Sequence, residues 1–384
     1  MKQEMIKDKI RGCLMAGVAG DALGYEVEFM SRKSILSRFG ERGITKFATD
    51  KNGMALFSDD TQMTLFTANG LLNSTRLAVA PKHAVTLAYL DWYYTQTRSK
   101  NNRKSCWLSD IDELYSLRAP GNTCMSALES VAYGNEPYNN SKGCGGIMRV
   151  SPIALYAIAR DGFDEVVVAQ LAADASECTH QHPLGFLPSA LLSVLLYKLL
   201  PMSAKQARDK IDSIVVESLG VLDAIYKDMY ESHKSYLVEL TEKAVQLAHS
   251  DIADADAIRE LGEGWVAEET WAIALYCAIR HIDSVEEAII ASVNHDGDSD
   301  STGAVCGNIM GAIYGYEHIK ECNIFCPEGK NLKETLELSE IILALADDLA
   351  TDCIISNPKS IDTPEARQWY ERYYEMKPAG IAKY

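Results

Sequence analysis

Apolar positions recur at three- and four-residue spacing along most of the chain, the period of helices that bury one face. This pattern predicts helices over 6–17, 61–72, 83–94, 147–159, 186–200 and 266–282, and further ones over 204–226, 285–293, 304–316 and 332–349. The alternation expected of strands is almost absent. Gly-rich or polar breaks fall at 18–24, 49–60, 119–123, 134–146 and 294–303. In an all-α fold these breaks are where chemistry would sit, because loops carry functional groups on a rigid scaffold. There is no internal repeat and no low-complexity linker. The polar, basic stretch 95–118 reads as a surface excursion, and 201–262 as two charged amphipathic helices forming a peripheral excursion. The expectation is one all-α domain over 1–384, a compact many-helix unit.

The stretch 183–200 is largely apolar and carries one charge, at Lys198. Its length alone would permit a membrane span, but Pro183, Gly185 and Pro188 within it predict a buried core helix. Overall, 47% of residues are apolar and 24% charged, as in ordinary globular proteins. The 37 basic and 54 acidic residues give a net charge of −17. So acidic a surface repels phosphate backbones and anionic lipid, and no Lys/Arg block offsets it, which excludes nucleic acid and membrane as expected partners. Ten cysteines at irregular spacing, with no Cys-x-x-Cys, read as free thiols of a reducing compartment; Cys322 and Cys326, four apart, are a weak metal hint. The charged N-terminal residues contain no secretory signal, so a cytoplasmic location is expected.

Two acidic clusters stand out. Ser58-Asp59-Asp60-Thr61 precedes an apolar periodic run. Helix capping and the helix dipole explain one carboxylate there, but two adjacent carboxylates between hydroxyls less well. The second cluster, 294–303, places Asp296, Asp298 and Asp300 among small residues before another helix. Carboxylates and hydroxyls together suit hard cations such as Mg²⁺, Mn²⁺ or Ca²⁺. An EF-hand is ruled out, because counting from Asp296 puts Ser301 and Gly307 where Gly and Glu are required. A capped loop without metal is the alternative reading for each cluster.

Other segments are less specific. The loop 139–146, with Gly143, Gly145 and Gly146, could cradle an anion at the start of the helix from Ile147, or could be a plain flexible turn; it matches neither the Walker nor the Rossmann spacing. Residues 118–123 read as a Pro-Gly turn followed by a helix cap. Small residues at 17–24 end the first helix, with Glu26 and Glu28 on its exit. His180 and His182 lack the further ligands zinc needs, which favours structural or substrate-contact roles. No Gly-x-Ser-x-Gly elbow is present.

Taken together, these segments resemble the ADP-ribosylglycohydrolase family, which includes the ADP-ribosylarginine hydrolases and the dinitrogenase reductase-activating glycohydrolase. The matching residues are 20–24 with Glu28, then 57–64, 121–123, 143–146 with 148–152, Thr179-His180, and 295–303 with Gly307-Asn308, in the family's order over about residues 5–350. The resemblance implies an all-α fold with two divalent cations, Mg²⁺ or Mn²⁺, in a central cleft. One edge of that metal site would be Ser58, Asp59 and Asp60; the other would be Asp298, Asp300 and Ser301, where the family most often has threonine in place of this serine. The loop 143–146 resembles a diphosphate-binding loop, and Asn122, Gly143, Gly145, Gly146, Met148 and His180 would contact substrate. Glu28 matches a loop glutamate that handles the proton in some members, with Asp60 as the rival base. The implied reaction is metal-dependent hydrolysis of the N-glycosidic bond joining ADP-ribose to an acceptor. Arginine on proteins is the preferred acceptor, since the motifs at 121–123 and 295–300 look closer to bacterial arginine-type members and a guanidinium suits an acidic cleft. Serine- or ester-linked ADP-ribose is the alternative, as is a non-catalytic role of the kind seen in lens or immunity-type relatives. The expected partners are an ADP-ribosylated protein or ADP-ribosyl-arginine, and a toxin ADP-ribosyltransferase or its target.

Overall fold

The computed structural model describes residues 2–99, 104–325, 330–351 and 363–378. Its helices are α1 (Lys2–Tyr25), α2 (Arg32–Phe39), α3 (Asp59–Leu77), α4 (Pro81–Thr97), α5 (Asn122–Ala132), α6 (Ser151–Ile158), α7 (Glu165–Glu177), α8 (Pro183–Leu199) and α9 (Ala204–Tyr226). They continue with α10 (Glu231–Ala248), α11 (Asp254–Leu261), α12 (Ala267–Arg280), α13 (Val285–Val293), α14 (Ser299–Tyr314), α15 (Tyr316–Ile319), α16 (Leu332–Thr335), α17 (Ser339–Ala350) and α18 (Pro364–Tyr373). Among the described residues the β-type pairings are isolated bridges, Ala55 with Leu336 and Gly143 with Val266. The fold is an all-α bundle around one hydrophobic core.

The centre of the bundle is the antiparallel pair α1 and α14. The expected break at 18–24 is helical instead, because its small residues let two backbones touch. A methyl group added at Gly20 would overlap the Gly303 carbonyl, and one at Gly24 the Ser299 carbonyl. Asn308 Nδ2 donates to the Cys13 carbonyl across the same seam (2.9 Å). Each interior glycine costs about 1 kcal/mol of helix propensity, and here the close approach offsets it. Gly20→Ala is therefore expected to destabilise the fold by at least the upper end of the roughly 1–3 kcal/mol typical of overpacking, since its neighbour is backbone and cannot rotate away. Denaturant titration checks this.

α8 is buried along nearly its whole length despite Pro188. Its serines are satisfied internally, Ser189 by Ser176 Oγ (2.7 Å) and Ser193 by the Val150 carbonyl (3.4 Å). No described helix is long and apolar enough to cross a membrane. The stretch 201–262 holds three helices, α9 to α11, with Leu237, Leu240 and Ala244 on the buried face of α10, and Trp271 Nε1 of α12 donating to Thr241 Oγ1 of α10 (2.9 Å).

Three further expectations need correction. The stretch 95–118 is not simply a surface excursion, because Ser105 to Leu108 and Leu114 are buried. Asp91 gathers the backbone N–H groups of Ser105 and Cys106 (2.6 and 2.7 Å), and two short 3₁₀ turns follow. The run 332–349 is split, with Leu338 in the left-handed region at φ 54° between α16 and α17. The helix foreseen from Ile147 is a 3₁₀ turn, Cys144–Arg149, followed by α6. Among the described residues the cysteines are free thiols; Cys326 lies outside them, and with it the Cys322–Cys326 pair.

Candidate active site

Two helix N-termini meet on one wall of a cleft. Ser58 caps α3, its Oγ accepting from Asp60 N (3.2 Å), which puts Asp59 and Asp60 in the first turn. Asp298 caps α14, accepting from Ser301 N (3.2 Å), which puts Asp300 and Ser301 in the first turn. Ser301 Oγ joins the two ends by donating to Asp60 Oδ2 (2.7 Å). Behind them Asp21 of α1, fully buried, accepts from the backbone N–H of Ser58 (2.9 Å) and Thr61 (3.0 Å) and from the Thr61 hydroxyl. Asp21 thus fixes the start of α3 from a third helix.

The cleft has a volume of about 480 Å³. Its walls carry Glu28, Asp59, Asp60, Asp298 and Asp300, together with Ser301, Asn122, Gly143, Gly145, Met148 and His180. Two residues expected at the site do not line it. Ser58 is buried beneath as a cap, and Gly146 packs behind, where a Cβ would lie 2.7 Å from the Gly185 carbonyl. The other glycines make room for His180: a Cβ at Gly145 would lie 2.8 Å from its Cε1, and one at Gly143 3.3 Å from its Nε2. His180 Nδ1 is tied to Thr179 Oγ1 (2.9 Å), which also accepts from Arg149 Nη2 (2.6 Å). Burial, and then the Arg149 charge, push the imidazole down to about 3, so it is neutral in the physiological range. His182 turns elsewhere, its Nδ1 accepting from Leu184 N (3.1 Å) to cap α8. Asp296 also faces away, accepting from Arg32 N (2.8 Å) at the start of α2.

The loop 142–144 is fastened to 265–267. Cys144 N donates to the Trp265 carbonyl (3.2 Å) and Ala267 N to that of Lys142 (2.9 Å). The same segment holds α14 in place, as Asp298 N donates to the Glu263 carbonyl (2.8 Å).

Burial, and after it the crowding of carboxylates, dominates the electrostatics. Burial, and then Asp300, push Asp60 and Asp298 well above the ordinary carboxyl range; burial does the same to Asp59. Asp21 rises to about 7 through burial and Asp300, against the hydrogen bonds from Thr61 and Ser58. Glu28 is pushed up to about 10 by burial and then by Asp300, Asp298, Asp59 and Asp21. Among the described residues, no Lys or Arg lines the cleft.

Among the described residues, no three His, Cys, Asp or Glu side chains form a group already arranged to hold a metal ion. The donor chemistry nonetheless fits hard cations. All the candidate ligands are carboxylate or hydroxyl oxygens, their charges have no counter-cation in the cleft, and Glu28 Oε2 is buried without a hydrogen-bond partner.

Sequence reasoning assigned no role to several residues that shape this site. They are Asp21, visible only as part of a motif; Cys144, which lines the cleft beside Gly143 and Gly145; and the ring pair Phe29 and Trp265 on the cleft wall.

A family model described as ADP-ribosylglycohydrolase matches residues 2–357. The chain is 26% identical to ADP-ribosylhydrolase ARH3 of Mus musculus over 341 residues, covering 82% of this chain and 85% of that protein. It is 23% identical to ADP-ribosyl-[dinitrogen reductase] glycohydrolase of Rhodospirillum rubrum, covering 89% of this chain and 97% of that one. It is also 23% identical to ADP-ribosylarginine hydrolase Tri1 of Serratia proteamaculans, covering 81% and 73%. A solved structure, an ADP-ribosylglycohydrolase-related protein complex, superposes with a TM-score of 0.61 at 24% identity, covering 90% of this chain and 98% of that one, a likeness of fold.

Proposed function

The chain belongs to the ADP-ribosylglycohydrolase family, whose members hydrolyse ADP-ribose linkages, and from that premise we propose that it is a cation-dependent hydrolase of the N-glycosidic bond between ADP-ribose and arginine on proteins. The observation that carries the reading is the meeting of two helix N-termini that set four aspartates on one cleft wall, with no basic residue among the described residues lining the cleft to balance them. Asp59, Asp60, Asp298, Asp300 and Ser301 would hold two divalent cations, with Ser58 supporting from its cap position. When bound, the cations supply positive charge that fixes ribose hydroxyls and offsets the carboxylates.

The chain's own residues do the rest. The turn 143–145 and His180 form one wall for the ADP-ribose, with the neutral imidazole held in orientation by Thr179 and Arg149. Glu28 is the group equipped to move a proton, since one of its oxygens is unpartnered. Asp60 is less free, because Ser301 already occupies one of its oxygens. In the reaction the C1–N bond of the ribose breaks through an oxocarbenium-like state and a water oxygen forms the new bond to C1. With the charge of the neighbouring carboxylates offset, Glu28 would be ionised and take the water's proton; the guanidine, leaving with the C1–N electron pair, then receives that proton from Glu28 and departs as guanidinium. The name of the Serratia relative specifies arginine, which supports this acceptor.

The test is release of free ADP-ribose from arginine-, serine- and ester-linked substrates, with Mg²⁺ and with excess chelator. Mg²⁺-dependent release from ADP-ribosyl-arginine, well above that from ADP-ribosyl-serine, is expected. Full activity in chelator would overturn the cation dependence. Release from serine alone would overturn the acceptor and keep the hydrolase.

A further inference from the structure

Two aromatic rings at the cleft are left unexplained by packing. Phe29 directly follows Glu28 and is 75% exposed; Trp265 is 38% exposed. The rings stack on each other, with centroids 5.8 Å apart and an interplanar angle of 21°, and both line the cleft. Neither ring belongs to the hydrophobic core. The other four tryptophans, Trp92, Trp107, Trp271 and Trp369, are all buried, so Trp265 alone presents its ring to solvent. A single exposed aromatic needs no explanation, but a stacked pair on the wall of an acidic cleft does.

The backbone holds both rings in place. The turn carrying Phe29 is closed by Val27 N to the Gly24 carbonyl (2.9 Å) and Met30 N to the Val27 carbonyl (2.8 Å). Trp265 is pinned through its own carbonyl by Cys144 N (3.2 Å), and Glu269 Oε2 accepts from Gly264 N beside it (3.2 Å). The pair therefore joins the turn that bears Glu28 to the segment that backs the loop 143–145.

Aromatic faces carry negative charge density and attract cations, most of all a flat, weakly hydrated one. Among the described residues, the surrounding cleft contributes five carboxylates and no Lys or Arg. Beside Glu28 the ring faces favour a planar cation over a neutral group.

We propose that the stacked Phe29–Trp265 pair receives the guanidinium of the acceptor arginine and so sets the preference for arginine over serine. The proposal rests on the arginine reading above and deepens it. Serine offers neither a planar group nor a charge to such a platform, whereas an alkylated guanidine stays protonated at neutral pH.

Leu substitutions keep apolar bulk and remove the π face. In Phe29→Leu and Trp265→Leu, the ratio of kcat/KM on ADP-ribosyl-arginine to that on O-linked ADP-ribose is expected to fall by about 3- to 30-fold, mainly through KM on the arginine substrate. Equal losses on both substrates would mean that the rings merely shape the Glu28 turn, and would overturn the proposal. A second measurement does not depend on turnover. Methylguanidine titrated into the protein should quench tryptophan fluorescence, and the change should vanish in Trp265→Phe. Quenching by AMP in place of methylguanidine would identify a site for adenine and overturn the proposal. If the wild-type chain releases nothing from ADP-ribosyl-arginine, the acceptor assignment falls by itself; the methylguanidine titration still decides the platform, and no Trp265-dependent quenching overturns it.

Discussion

Asp60→Asn or Asp298→Asn should abolish most activity while leaving the helical fold intact. The expected loss is roughly 10³-fold, corresponding to the several kcal/mol of charge stabilisation that a bound cation supplies. In the cation-free protein the same substitutions should raise thermal stability. Each replaces a buried carboxyl, held well above its ordinary range by burial and by Asp300, with a neutral amide of the same shape. The pH dependence follows in sign. A carboxyl whose folded value is raised binds its proton more tightly folded than unfolded, so stability is fullest below the unfolded value of about 4 and falls as pH rises towards the folded value. For Asp21 that window ends at about 7, and for Glu28 at about 10. Melting temperature without cations should therefore drop between about pH 5 and pH 9. Mg²⁺ should restore it, and both Asn variants should flatten the slope. A chelated wild-type protein whose stability is flat or rising over this range would contradict the picture of uncompensated carboxylates.

The second large effect belongs to Glu28. Glu28→Gln should cut kcat by about 10²-fold or more with little change in cation affinity, because it removes the proton carrier and keeps the shape. Stopped assays of ADP-ribose release, together with Mg²⁺ titrations, separate the two quantities. An unchanged kcat would transfer the proton to one of the aspartates, with Asp60 the first candidate.

Much of this was legible from the amino-acid order, and the remainder was not for identifiable reasons. Periodicity located α3, α8, α12 and α14 because each buries a wide apolar face. It missed α2, whose single buried residue is Ile35, and α5, which buries Cys124, Ala127 and Leu128 on one narrow stripe. Glycine misled the reading of 18–24, since the same residue that breaks helices also lets two of them touch. The acidic clusters were conspicuous because capping accounts for only part of their charge. Asp21 was hidden within the same motif, since nothing local shows that a mid-helix carboxylate will cap a helix beginning 38 residues later at Asp59. Phe29 and Trp265 were invisible for a similar reason: they are 236 positions apart and meet only in three dimensions.

The glycine seam of α1 and α14 has a mechanical consequence. Gly20 meets Gly303 and Gly24 meets Ser299 backbone to backbone, which keys the two helices like a shaft and its slot. Neither helix can slide or roll without a main-chain collision. One residue inserted into either would advance everything beyond it by about 1.5 Å and turn it by about 100°, disengaging the key. Any travel of Glu28 relative to Asp298 and Asp300 over a reaction cycle must then be taken up in the short turn after Tyr25. The aspartate wall stays as the fixed jaw of a vice whose moving jaw is only a few residues long.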